Sequence, residues 1–185
     1  MKPFLLILVF LASYPSSAAN VNNQDFYNWL VNEHTKNPEL NTNQLMWSDQ
    51  FENFLINNMT YREPIYLGMT ASDDLKDLKY HMLQALSGPP DKVKVNENSS
   101  ILISGCRFRS CDEKGFIWID PINANQIFVV ISYFFRNKEY RQDGYVVIYS
   151  DKFKTTSEMP ENFKESLASW LHLHDFTSPQ TEVIQ

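Results

Sequence analysis

Cys106 and Cys111 enclose Arg107, Phe108, Arg109 and Ser110, the stretch of the chain whose residue types carry the most chemistry. Two thiols this close, in a chain expected to enter an oxidising compartment, are expected to join as a disulfide. The ring they close is small, so its chain-entropy contribution falls below the ~3 kcal/mol of a loop of about fifteen residues, and its main effect is to hold a loop in shape. A loop held in this way would present two guanidinium groups and an aromatic ring on a rigid support. Such residues make binding hot spots, because little freedom is lost on docking. The same pattern also fits a structural hairpin staple with incidental arginines. The C-x4-C spacing, in place of C-x-x-C, speaks against thiol exchange.

Other reactive groups give weaker signals. His172 and His174 could ligate a metal, but a site needs a third ligand and an organised outer shell. A helix C-terminus, where histidines sit favourably against the dipole, explains them better. His81 and His34 read as solvated or core-edge residues. Asp73-Asp74 and Asp112-Glu113 are adjacent acids that rarely converge as acid and base, and read as a helix start and a turn. No phosphate-binding glycine loop, G-x-S-x-G elbow or zinc-protease motif occurs in the sequence. The expectation is a binding protein, not an enzyme, with no cofactor and no metal. Trp118, Phe128, Tyr133, Phe134 and Phe135 are expected to pack in the core and on the sheet.

The segment Ser104 to Gly115, with the Cys106–Cys111 loop between two predicted strands, resembles the periplasmic inhibitors of vertebrate lysozyme, the Ivy family. The resemblance covers mainly residues 101–133: a strand, the loop, the strand with Trp118 and the apolar strand after it. It implies an exported α+β domain with a central antiparallel sheet, and a loop that enters a lysozyme cleft. In the family that loop carries a histidine; this chain has Arg109 there and keeps a basic residue at Arg107. The implied partner is a basic c-type lysozyme. Glycosidases of that type work with paired carboxylates, which a guanidinium can bind through bidentate, charge-assisted hydrogen bonds. The alternative is an exported interaction protein of the same kind that binds a different host or envelope partner through the same loop.

The surrounding sequence must deliver and position that loop. Lys2, an apolar run from Phe4 to Ala12 and the small residues Ser16-Ser17-Ala18-Ala19 have the order of a signal peptide, with cleavage expected after Ala19. Residues 1–19 are thus expected to be removed, 20–176 to form a single α+β domain and 177–185 to be a loose tail. The protein would be periplasmic or secreted. The apolar run is about half the ~20 residues that span a bilayer, and no membrane span is expected in the mature chain. The formal charge is −6, which argues against nucleic acid and for a basic partner; a homodimer is left open.

The pattern of elements is helices, then strands, then a helix. Phe26, Trp29 and Leu30 share a helical stripe ending before Pro38. A second helix is expected from Thr42, burying Leu45, Met46, Phe51, Phe54 and Leu55. A third, capped at Ser72 or Asp73, has Leu75, Leu78, Met82, Leu83 and Leu86 on one face and stops at Ser87-Gly88-Pro89-Pro90. Short strands follow at Val93 to Val95, Ile101 to Ser104, Phe116 to Asp120, Gln126 to Phe135 and Tyr145 to Tyr149. Pro160 to His172 reads as the last helix. The fold class is therefore α+β: a central antiparallel sheet of about five strands, with N-terminal helices and one C-terminal helix covering one sheet face.

Overall fold

The computed structural model describes residues 23–68, 75–136 and 140–185. The expected signal peptide and the caps at Ser72 and Asp73 lie outside them. Three helices open the described chain: α1 (Asn23–Lys36), α2 (Thr42–Met46) and α3 (Asp49–Asn58). The second expected helix is thus two. Ser48 accepts from the Phe51 N–H and starts a new helix, after Asn41 and Gln44 have closed a reciprocal capping box on α2. Then come β1 (Leu67–Gly68), α4 (Leu78–Ala85), β2 (Lys94–Val95), β3 (Ile101–Arg107), β4 (Ser110–Asp120), β5 (Asn125–Ser132), β6 (Phe134–Phe135) and β7 (Tyr145–Tyr149). A helix α5 (Glu161–Leu173) and a last strand β8 (Gln180–Ile184) complete it. α4 starts at the N-cap Asp77, which leaves Leu75 outside the helix and exposed.

The fold is α+β, built on a six-stranded sheet in the order β2-β3-β4-β5-β7-β8. Strands β2 to β7 pair antiparallel, but β8 runs parallel to β7, so the sheet is mixed. Residues 177–185 are accordingly not a loose tail. The reason lies at the end of α5. Asp175 adopts φ 61°, the Phe176 N–H bonds to the Leu171 carbonyl and the Asp175 N–H to that of His172. This is a Schellman turn with aspartate where glycine is usual, and it sends the chain back along β7. A parallel pairing needs a crossover connection, and α5 supplies it. The run from Gln126 to Phe135 also divides. Ser132 turns the chain by bonding to Phe134, whose strand β6 pairs with β1 in a separate two-stranded sheet.

Alternation along the central strands sorts the core into two layers. Ile117, Ile119, Phe128, Val130, Val147 and Tyr149 face α1 to α4. Phe116, Trp118, Ile127, Val129, Ile131, Val146 and Ile148 face α5, where Phe163, Leu167 and Trp170 cover them. Both faces are covered, not one: α1 to α4 lie on one side and the crossover helix α5 on the other. Among the described residues no helix is long and apolar enough to cross a membrane.

Candidate functional site

Strands β3 and β4 form a hairpin that ends in a two-residue turn, Phe108 and Arg109, between the paired residues Arg107 and Ser110. The register slips between Cys106 and Arg107; a bulge of this kind adds twist and re-aims side chains. The Cys106–Cys111 disulfide crosses the hairpin at this point, with Cα atoms 4.7 Å apart. Arg109 takes φ 63°, in the left-handed region that a non-glycine residue enters at a cost.

The hairpin rests on the segment that follows α4. Gly105 and Gly115 lie opposite each other in register, and the lack of side chains there lets Ala85 and Leu86 pack against the sheet. Gly88 donates its N–H to the Cys106 carbonyl at 2.7 Å. A Cβ on Gly88 would meet the Cys106 and Arg107 backbone at 2.6–2.8 Å, so only glycine fits. Lower down, Pro90 bridges Gly105, and Ser104 makes three hydrogen bonds: its hydroxyl donates to Asp91, while its carbonyl accepts from the Asp91 N–H and the Thr42 hydroxyl.

The four residues singled out between the cysteines divide into two pairs. Phe108 is 60% exposed and Arg109 is exposed, with the Arg109 guanidinium 5.1 Å from the centre of the Phe108 ring. Arg107 and Ser110 are half-buried. Arg107 does not stand free: its Nη1 donates to Oε2 of Glu113 at 2.5 Å. The Glu113 side chain is only 5% exposed, and its Oε1 is buried without a hydrogen-bond partner. Asp112-Glu113 is therefore not a turn. Both lie on β4, where alternation turns Asp112 out and Glu113 in.

Beside Cys111, a cleft of about 500 Å³ is lined by Asp112, Lys114, Tyr133, Asp143, His174 and Asp175. Burial lowers the Lys114 pKa against the opposing pull of Asp91 and Asp112. Burial, helped by Asp112 and Tyr140, raises that of Tyr133, whose ring stacks on Tyr140 at 5.7 Å. His174, at the C-cap of α5 and edge-on to Trp170 at 5.3 Å, titrates below 6.5. Burial is the main cause, then Lys114; Asp91 and Asp175 oppose it, and Lys94 adds to it.

A folded-state pKa below the unfolded 6.5 means that the unfolded chain binds the proton first as pH falls. His174 thus contributes stability above 6.5 that is lost as pH drops through that value towards its folded pKa. Urea midpoints at about pH 7.5 and about pH 5.5 are expected to show a smaller acid loss in His174→Gln than in the parent. Equal losses would remove His174 from the explanation.

The structure puts His172 in the last turn of α5, as the helix-end reading required, and buries His81 with its Nε2 3.0 Å from the Ile65 carbonyl. Trp118, Phe128 and Phe135 are buried. Among the described residues no group of three or more His, Cys, Asp or Glu could hold a metal ion. No family model, curated protein or solved structure matches the chain. The hairpin is therefore read from its own geometry. Its base is fixed by a disulfide, a glycine contact and an ion pair, and its tip offers one ring and one guanidinium to solvent.

Proposed function

We propose that this chain is an exported protein-binding domain whose Phe108–Arg109 hairpin tip enters an acidic cleft on a partner, the leading candidate being a basic c-type lysozyme. The observation that carries the reading is an exposed aromatic ring with a guanidinium over it, on a hairpin tied down on several sides. Tyr, Trp and Arg anchors on pre-organised supports dominate binding energies, and a phenylalanine with an arginine is the nearest equivalent here. A glycosidase cleft offers a carboxylate at its base, which Arg109 could engage in a bidentate pair. The net charge of −6 favours encounter with a basic protein. The disulfide and the resemblance over residues 101–133 both support a periplasmic or secreted location.

One observation favours a different host or envelope partner. The family's loop histidine is replaced by Arg109, and Arg107 is already committed to Glu113. A guanidinium at this position is a different key from a histidine. The test is direct: purified protein is titrated against c-type and g-type lysozymes, with inhibition and binding both measured. Phe108→Ala/Arg109→Ala is expected to weaken the interaction about 30-fold, or about 2 kcal/mol, without changing the unfolding midpoint. Neither binding nor inhibition by the parent protein would end the lysozyme reading and leave the other partner.

A further inference from the structure

Among the described residues, burial displaces the pKa of Tyr27, Lys114, Tyr133 and His174. Tyr27 is closed in the core, but the other three all line the cleft beside Cys111. Displaced ionisations gathered in one cleft are how chemical sites are commonly built. At about 500 Å³ the cleft is large enough for a small molecule.

Lys114 is the group in it that can form a bond. It lies on β4, paired to Cys106 on one side and to Ile131 on the other, so its main chain is held from both sides. Its Nζ makes no hydrogen bond or ion pair among the described residues and is not buried, so it opens on the cleft. The Tyr133 hydroxyl and the His174 ring nitrogens are unpaired and open in the same way. An ammonium group that is partly desolvated and has no counter-ion in contact gives up its proton more readily, and the free amine is a nucleophile. Beside it stand a phenol, kept protonated by its raised pKa, and a neutral imidazole.

That set is what condensation with a carbonyl compound needs. Nζ adds to the carbonyl carbon while the Tyr133 O–H hydrogen-bonds the oxygen, and His174 takes the proton that nitrogen sheds and passes it to that oxygen. A second transfer of the same kind releases the oxygen as water and leaves a C=N bond. Asp112, Asp143 and Asp175 also line the cleft without an ion pair among the described residues, three carboxylates to one amine. Their field repels anionic carbonyl compounds such as 2-oxo acids. We infer that the cleft beside Cys111 is a covalent site that captures small neutral aldehydes or ketones on Lys114.

Neither Phe108 nor Arg109 lines the cleft, so the site stands or falls apart from the protein-binding proposal. Purified protein is treated with glyceraldehyde or with glyoxylate in the presence of sodium cyanoborohydride, which reduces the C=N bond to a stable amine. Peptide mass mapping then compares Lys114 with Lys154, which is exposed and has no ion pair among the described residues. Glyceraldehyde is expected on Lys114 at least about tenfold faster than on Lys154, and the ratio should fall at least about fivefold with the anionic glyoxylate. Tyr133→Phe and His174→Gln should each lower the glyceraldehyde ratio about tenfold. Acetylation of Lys114 by acetic anhydride, which needs no proton delivered to the carbonyl oxygen, should persist in both. A ratio near one with glyceraldehyde would overturn the inference, and an equal ratio with glyoxylate would overturn the neutral class. Parallel loss of both reactions in the variants would overturn the roles given to Tyr133 and His174.

Discussion

Gly88→Ala is expected to destabilise the protein by about 3 kcal/mol, at the upper end of overpacking costs, and to lower the melting temperature by about 6–12 °C. The new methyl group would overlap main-chain atoms of Cys106 and Arg107 at 2.6–2.8 Å, and backbone cannot swing aside as a flexible side chain does. The Gly88 N–H bond to Cys106 would be lost with the displacement. Gly105→Ala is the control: a Cβ there finds its nearest neighbour at 3.5 Å, an ordinary contact, and the change should be near neutral or slightly stabilising. Gly115→Ala falls between the two, since the closest atom, Leu86 Cδ2 at 2.9 Å, belongs to a side chain that can move. Thermal unfolding of the three variants ranks them. Equal effects at positions 88 and 105 would show that the hairpin does not rest on the segment after α4.

Arg107→Ala is expected to cost about 2–3 kcal/mol at neutral pH. That is below the 3–5 kcal/mol of a fully buried pair, because the Arg107 side chain is 39% exposed while Glu113 is 5% exposed. The loss would come from Glu113: one carboxylate oxygen already lacks a partner, and the substitution would orphan the other. Arg107→Ala/Glu113→Gln, which removes the charge, should recover part of the loss. Urea unfolding of the parent and both variants supplies the comparison, and an Arg107→Ala protein within about 0.5 kcal/mol of the parent would show the pair to be incidental. The same variant separates two roles. In the proposed binding role Arg107 would act only by holding the hairpin, so its loss should reduce affinity less than the loss of Arg109.

The parts of this structure legible in the sequence are those set by local pattern. The helical stripe through Phe26 and Leu30, the strand from Phe116 to Asp120 and the stop after Leu86 all follow from spacing and from glycine and proline. What was missed depends on substitution or on partners far along the chain. Asp175 occupies a left-handed position where glycine would have announced a helix end, so the turn into β8 carried no signal. Ser48 divides one apparent helix because its hydroxyl competes for the Phe51 N–H, and the apolar spacing of Leu45, Phe51 and Phe54 conceals the break. Glu113 was read with Asp112 as a turn. Placing the turn at Phe108 and Arg109 would have put Arg107 and Glu113 on facing strands, but that register depends on the bulge after Cys106.

Strand β8 follows the crossover helix, and it covers one edge of Tyr145-Val146-Val147-Ile148-Tyr149. That pentapeptide is β-branched and aromatic, uncharged and free of proline and glycine, the composition that stacks into intermolecular strands when an edge is left open. Until β8 has paired, the main-chain groups on that edge have no partner in the fold. Residues 180–184 therefore act as a built-in guard against self-association, and a protein cut before them by a protease would retain both faces of its core while offering the stickiest strand in its sheet to its neighbours.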